Sequence, residues 1–250
     1  MHHFTQQRFS DSFLSRIDAR IKLLSALALL VLVISYRGFA FPLGTAALCI
    51  AACLGMGIRP KALLLRFAEP GFIIFMIVLL KLFTVGHAPL FSTSLFGLEI
   101  TGYRDGLLDG LLIASRITGA VAVVTTLGFA TPFTELMAAL AWLRVPQGFI
   151  EVTLFAWRYL FLLLDDARTI HGAQKNRLGY AGWRRGLRSF GTLAGALIIK
   201  AFDNSSNVTT AMVQRGYDGN LPMLRHRPFR THEVAASLAF IVCMGLLWRI

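Results

Sequence analysis

Residues 21–57 read IKLLSALALLVLVISYRGFAFPLGTAALCIAACLGMG, and this stretch decides the class of fold. Two apolar runs, residues 21–36 and 39–57, are separated only by Arg37 and Gly38. Runs of this kind predict membrane-crossing helices, because about 20 apolar residues are needed to cover roughly 30 Å of hydrocarbon. The tight turn between them predicts that the two helices pack against each other as an antiparallel pair.

The composition of the whole chain agrees with that reading. Of 250 residues, 56% are hydrophobic and 15% are charged, and the mean hydropathy is +0.63. These values exclude a disordered protein and disfavour an ordinary soluble domain. Three further apolar runs cover residues 67–83, 106–130 and 232–248. The sequence therefore predicts an all-α integral membrane protein with about five transmembrane helices.

The basic residues predict which parts of the chain face the cytoplasm. Lys plus Arg number 25 against 13 Asp plus Glu, and the formal net charge is +12. A sixth apolar segment, residues 149–164, contains Glu151 and Arg158. If this segment crosses the membrane, all residues after it lie on the opposite side from those before it. If it does not cross, one side holds 4 basic residues in 1–22, 3 in 58–66 and 13 in 131–231, against 3 on the other side. Because basic loops stay in the cytoplasm, we expect no crossing there and a cytoplasmic N-terminus.

Residues 131–231 are then a cytoplasmic region inserted before the last span. One long helix is predicted over residues 149–178, followed by a basic, glycine-containing break and a short helix over residues 190–202. Thirteen residues cover only about 20 Å, so the short helix cannot span, and the chain continues in residues 207–214 on the same side. The predicted division is residues 1–130 with four spans, residues 131–231 as a helical hairpin, and residues 232–250 as the final transmembrane helix.

Two stretches of this hairpin share one pattern. Residues 173–180 read AQKNRLGY and residues 211–219 read AMVQRGYDG. Each has an alanine, Ala173 or Ala211, four residues before an arginine, Arg177 or Arg215, and a glycine and a tyrosine follow. The simplest interpretation is a pair of helix ends, where arginine favours the helix dipole and glycine supplies a left-handed cap.

The functional interpretation is that both helix ends project a guanidinium into a groove on another protein. The planar fork of arginine pairs bidentately with carboxylates and tolerates partial burial. The small alanine one turn earlier would let the partner approach closely. Two such ends suit a twofold or pseudo-twofold partner, such as a dimer of nucleotide-binding ATPases.

The chain resembles the membrane T component of energy-coupling factor transporters, particularly the cobalt-type CbiQ branch. The similarity rests on stretches in the family's order and spacing: SRIDARIKLLSALALLV, TPFTELMAAL, RVP, WRYLFLLLDDA, AQKNRLGY and AMVQRGYDGNLP. In that family two Ala-Arg-Gly signatures end the coupling helices that dock on the ATPases. Carried over by position they become Asn176-Arg177-Leu178 and Gln214-Arg215-Gly216, and the first departs from the common form on both sides of Arg177.

The resemblance implies a non-catalytic coupling subunit of an ATP-driven importer in the bacterial cytoplasmic (inner) membrane, serving uptake of cobalt or nickel. Its implied partners are the lipid bilayer, two ATP-binding cassette ATPases that hold ATP and Mg, and a substrate-binding membrane subunit that carries the ion. A small accessory membrane subunit could accompany the latter. No cofactor or metal is expected on this chain, and no P-loop, HExxH or CxxC motif occurs in it.

Three alternatives stay open at this point. Within the class, the chain could serve a vitamin-binding subunit. An integral membrane enzyme acting on lipid or prenyl groups would need paired acids, and only Asp165-Asp166 offers a pair. A basic anchor for nucleic acid or anionic lipid would use the arginines at residues 184, 185 and 188, although the positive-inside rule already accounts for them, and we expect no nucleic-acid partner.

Two basic residues, Lys81 and Arg116, lie within predicted spans, and Arg116 falls near the middle of its span. Arg116 is costly in hydrocarbon and is expected to face protein or water. The Arg116 side chain could avoid lipid either by packing internally with Ser115 and Thr118 or by contacting a neighbouring membrane subunit.

Overall fold

The computed structural model describes residues 17–84, 89–95, 98–217 and 231–249. Within them lie eight helices: α1 (Ala19–Ser35), α2 (Ala40–Gly55), α3 (Pro60–Thr84), α4 (Arg104–Ala130), α5 (Phe133–Trp142), α6 (Gln147–Asn176), α7 (Trp183–Gln214) and α8 (Thr231–Arg249). Two strands, β1 (Pro89–Leu95) and β2 (Leu98–Tyr103), form an antiparallel hairpin between α3 and α4. The helical class is confirmed, and the short hairpin is an addition that the apolar pattern did not indicate.

The chain forms two compact units. The first comprises Met1–Ala139 with Arg227–Ile250, and the second comprises Leu140–His226. The first unit therefore contains α1 to α4 and α8, the second contains α6 and α7, and α5 begins in the first and ends in the second.

Helix α4 organises the first unit, since α1, α2 and α3 all pack against it, and α8 packs against α1. Gly119 lies where α4 meets α1 and α2. A Cβ atom there would come within 2.9 Å of the Pro42 carbonyl oxygen and 3.1 Å of Val33 Cγ1. α1 and α2 make few direct contacts with each other. The predicted antiparallel pair is wrong in this respect, because the glycine face of α4 lets each helix pack on α4 instead.

Three described helices are long and apolar enough to cross a membrane: α3, α4 and α6. Large apolar side chains of α3, including Leu64, Leu65 and Phe72, are exposed, as expected of a surface that faces lipid. α1 and α2 are shorter, with 17 and 16 residues. Helix α6 contains residues 149–164, so its length and composition permit the crossing that the charge count disfavours.

Helices α6 and α7 make up most of the second unit. α6 is one continuous helix, as predicted. α7 is also continuous over 32 residues, so the predicted short helix at residues 190–202 and separate segment at 207–214 were wrong. The helix continues through the polar run at residues 203–206. Beyond it, Thr209 and Thr210 donate their hydroxyls to the carbonyls of Ser205 and Ser206, so these side chains find partners in the preceding turn without interrupting the helix.

Candidate functional site

Helix α6 ends in a compact hydrogen-bonded turn centred on Arg177. The N–H of Gly179 donates to the Gln174 carbonyl at 2.9 Å, and the N–H of Leu178 donates to the Lys175 carbonyl at 3.1 Å. Leu178 has a φ of +56°. These two bonds around one left-handed residue make a Schellman motif, in which Arg177 occupies the cap position.

Helix α7 ends in the same way around Arg215. The N–H of Tyr217 donates to the Met212 carbonyl and the N–H of Gly216 to the Val213 carbonyl, both at 3.0 Å. Gly216 has a φ of +80°. The two stretches that share a sequence pattern therefore share a backbone conformation, with the arginine at the same cap position. Asp218 to Pro222, the tail of the second stretch, lies outside the described residues.

The left-handed residue differs between the two ends, and one prediction needs correcting. The sequence pattern suggested that glycine caps both helices, but at the first end Leu178 takes the left-handed position that Gly216 takes at the second. Gly179 has another role there. A Cβ atom on it would lie 2.8 Å from Ser189 Oγ, so glycine permits the close approach of α7 to the end of α6.

Both arginines are available to a partner. Arg177 and Arg215 are exposed, and within the described part of the chain neither is in a salt bridge. The predicted neighbours are exposed as well: Ala173, Asn176, Leu178, Ala211, Gln214 and Gly216. By contrast, Arg168 on the same helix is paired with Asp165 at 3.1 Å.

A polar network fixes the first arginine end to the start of α7. Gln174 is at its centre: its Nε2 donates to the Ser189 carbonyl at 2.9 Å, and its Oε1 accepts from the Tyr180 hydroxyl at 2.7 Å. The Ser189 hydroxyl returns a bond to the Gly179 carbonyl at 2.9 Å. Sequence reasoning missed this role, although Gln174 and Tyr180 are both inside the quoted AQKNRLGY stretch.

A second contact fixes the other arginine end to the start of α6. The Tyr217 hydroxyl donates to Glu151 Oε2 at 3.3 Å, and Gln147 Nε2 donates to the other oxygen of the same carboxylate at 3.2 Å. Glu151 is only 7% exposed. The acid in this apolar segment therefore has a structural role, because it accepts hydrogen bonds from Gln147 and Tyr217.

These contacts determine the spacing of the two arginines. Because Tyr217 bonds to Glu151, Arg215 lies near the start of α6, whereas Arg177 is at its end. Residues 151–177 cover about 40 Å at a rise of 1.5 Å per residue. The hairpin therefore presents its two exposed guanidinium groups at opposite ends rather than side by side.

Two basic side chains of the first unit are used internally. Arg116 Nη2 donates to the Tyr36 carbonyl at 2.5 Å, at the end of α1, while Ser115 and Thr118 bond to the backbone of their own helix. Lys22 is 7% exposed and donates to the carbonyl of Ala130 at 2.9 Å, at the end of α4. Each cation thus neutralises the C-terminal carbonyl end of the other helix. The role of Lys22 was missed, and contact between Arg116 and a membrane subunit stays a prediction.

The only acidic pair that suggested an enzyme is engaged in ion pairs. Asp165 bonds to Arg168, and Asp166 bonds to Lys200 of α7 at 2.5 Å. In the described ranges, no three His, Cys, Asp or Glu side chains form a group that could hold a metal ion.

The two equivalent arginine ends on one hairpin are the feature that the resemblance singled out. A comparison with protein-family models matches residues 10–225 to the CbiQ family, described as cobalt transport protein. The chain belongs to this family. The match covers both arginine ends and α1 to α7, so the family assignment extends over both units of the structure.

Relatives of this CbiQ family member include transport proteins of two names. A cobalt transport protein CbiQ of Rhodobacter capsulatus is 33% identical over 147 residues, which cover 57% of this chain and 60% of the relative. An energy-coupling factor transporter transmembrane protein EcfT of Lactococcus lactis is 24% identical over 257 residues, covering 95% and 94%. An uncharacterized protein of Methanocaldococcus jannaschii is 29% identical over 226 residues, covering 90% and 84%. The two functionally named relatives are transport components and not enzymes.

Proposed function

We propose that this CbiQ family member is the membrane coupling subunit of an ATP-driven importer. It transmits the closure of an ATPase dimer to a separate substrate-binding membrane subunit, and the ATPases hold the ATP and Mg. The observation that carries the proposal is the pair of matching helix ends, each with an exposed arginine at the cap position and without an ion-pair partner among the described residues. Cobalt or nickel ion is the proposed cargo, in line with the family description.

The geometry of the hairpin supports a role in transmission. Each arginine end is bonded to the opposite helix, through Gln174 at one end and through Tyr217 at the other. A force applied at Arg177 therefore acts on the start of α7, and one applied at Arg215 acts on the start of α6. Two ATPase subunits that move relative to each other would move the two helices relative to each other.

Substitution of the two arginines tests the proposal. A buried, hydrogen-bonded charge pair that loses one partner costs about 2–5 kcal/mol in binding. Arg215→Ala should weaken the association of the ATPases strongly, and Arg177→Ala should act in the same direction, with a smaller effect because its flanks depart from the family form. The double variant should lose association and uptake, and lysine at either position should restore them only in part.

The measurements are ATPase co-purification in mild detergent and uptake of radiolabelled cobalt or nickel by cells. Arg168→Ala is the matched control, because it removes an exposed arginine from the same helix and should leave both measurements unchanged. Normal association in the double alanine variant would show that the arginines are merely helix caps. Uptake of a vitamin and of neither metal would assign the subunit to a vitamin-binding partner instead.

We further propose that the protein lies in the cytoplasmic membrane, with the N-terminus and residues 131–231 in the cytoplasm. The distribution of basic residues supports this orientation. Single cysteines at Arg188 and Thr93, in a variant without the three native cysteines, should be labelled from opposite sides. Labelling of both from outside would show that residues 149–164 cross the membrane.

A further inference from the structure

Helix α7 begins with an apolar stripe that the described part of the chain leaves exposed. Trp183 is 84% exposed, and Leu187 and Phe190 are each 62% exposed. The three residues are spaced i, i+4, i+7, so they lie on one side of the helix. Ser189, which bonds to the end of α6, lies on a different side. The stripe is therefore not needed for the contact between the two helices.

One flank of this stripe is basic. Arg184 and Arg188, four residues apart, form the row next to it, and Arg185 follows on the far side. All three are exposed, and within the described ranges none has a carboxylate at salt-bridge distance. The first turn of α7 contains no acidic residue. The surface thus combines a tryptophan, two further apolar side chains and three cations.

We propose that residues 183–190 form a contact surface for anionic phospholipids. Tryptophan is favoured at the boundary between hydrocarbon and water, because its ring is apolar and its N–H is polar. Leu187 and Phe190 would enter the acyl region beside it. The arginine stems can lie along the apolar boundary while their guanidinium groups reach lipid phosphates.

Charge complementarity favours a lipid surface over another protein as the occupant. Three unpaired cations within five residues match a layer of phosphate groups, and an anionic surface attracts each basic residue independently of a fixed groove. The positive-inside rule explains on which side such arginines lie, but it does not explain the exposed stripe that accompanies them. The surface also begins six residues beyond Arg177, and it does not depend on the docking of that arginine.

Quenching of Trp183 fluorescence tests the proposal in the full-length protein. A variant that keeps only this tryptophan (Trp142→Phe, Trp157→Phe and Trp248→Phe) is reconstituted in vesicles that contain phosphatidylglycerol and phosphatidylcholine. In separate samples, one or the other lipid is brominated near the headgroup end of its acyl chains. Brominated phosphatidylglycerol should quench Trp183 several-fold more effectively than an equal fraction of brominated phosphatidylcholine.

Neutralising the arginines should remove this preference. In the variant Arg184→Gln, Arg185→Gln, Arg188→Gln, the two lipids should quench Trp183 nearly equally, because each charge near an anionic surface contributes ~1 kcal/mol, about fivefold in an equilibrium, and three such losses exceed the several-fold preference. Arg168→Gln removes one exposed arginine from α6 and should leave the preference unchanged. If the tryptophan substitutions prevent folding, mass spectrometry of lipids retained by the otherwise native protein gives the same comparison, with less phosphatidylglycerol retained by the triple glutamine variant.

Three results would overturn the proposal. Trp183 could remain unquenched by either lipid, which would place the stripe in water. Both lipids could quench equally, with no effect of the arginine substitutions, which would leave an apolar contact without headgroup recognition. Quenching that disappears when the ATPase subunits are added would assign the surface to them.

Discussion

The two arginine ends offer a reciprocal test of the backbone conformation that presents them. Leu178 and Gly216 occupy the same left-handed position, with φ of +56° and +80°. The left-handed region is unfavourable by roughly 1–2 kcal/mol for an L-residue with a side chain, whereas glycine adopts it without this cost. A Cβ atom on Gly216 would meet nothing within 4 Å, and Leu178 is 69% exposed. Adding a Cβ at position 216 or removing the side chain at position 178 therefore changes packing little. The free-energy change of either substitution comes mainly from the cost of the left-handed conformation.

We expect Gly216→Ala to destabilise the end of α7 and Leu178→Gly to stabilise the end of α6. A difference of 1–2 kcal/mol corresponds to a factor of roughly 5–30 in a local equilibrium. Hydrogen–deuterium exchange should therefore become that much faster at the Gly216 and Tyr217 amides in the first variant. In Leu178→Gly, exchange should become slower by roughly fivefold at the amides of residues 178 and 179.

The reference in each experiment is the helix end that was not changed, whose exchange should match that of the wild type. Unchanged exchange in Gly216→Ala would refute the reasoning, as would faster exchange in Leu178→Gly. Either result would mean that the arginines are not presented by a left-handed cap. Leu178→Gly also recreates the glycine of the common family form, so it should retain ATPase association.

Two further predictions concern the first unit. Lys22→Met leaves the buried carbonyl of Ala130 without its donor and should lower the stability by about 1–3 kcal/mol. This loss corresponds to a fall in Tm of roughly 2–12 °C, which thermal-shift measurement in detergent would detect, whereas Lys61→Met, at an exposed position, should leave Tm unchanged. Gly119→Ala places a Cβ against backbone of α2 and should cost about 1–3 kcal/mol, while Gly128→Ala, whose Cβ has open space, should leave Tm unchanged or slightly higher. Equal Tm for the two glycine variants would contradict the packing described around α4.

Much of the helical framework could be predicted from apolar runs, because an uninterrupted apolar segment has few alternatives to a helix. The partners of those helices could not. Gly119 shows why: a glycine inside an apolar run gives no sign of which helix approaches it, and here it brings α4 against both α1 and α2. Polar residues were misread for a similar reason. The serines, asparagines and threonines of α7 suggested an interruption, yet the helix continues through them, and the hydroxyls of Thr209 and Thr210 bond to carbonyls of the preceding turn.

The candidate site was found from sequence only in part. The repeated pattern around Arg177 and Arg215 predicted two related helix ends, and the structure gives both the same hydrogen bonds. The side chains that fix those ends were not foreseen, since Gln174 and Glu151 acquire their roles through residues 15 and 66 positions away. The distance between the arginines also depends on the antiparallel arrangement, which no single stretch encodes.

Site-specific cross-linking tests the central claim most directly. A photoreactive amino acid is placed at Arg177 or at Arg215 in the assembled transporter, with Arg168 as the control position. Positions 177 and 215 should each cross-link to an ATPase subunit, and, because they lie about 40 Å apart along the hairpin, a variant labelled at both should capture two subunits at once. The control position should capture none. Cross-links from neither position, or from all three alike, would contradict the claim that these two arginine ends are where the ATPases dock.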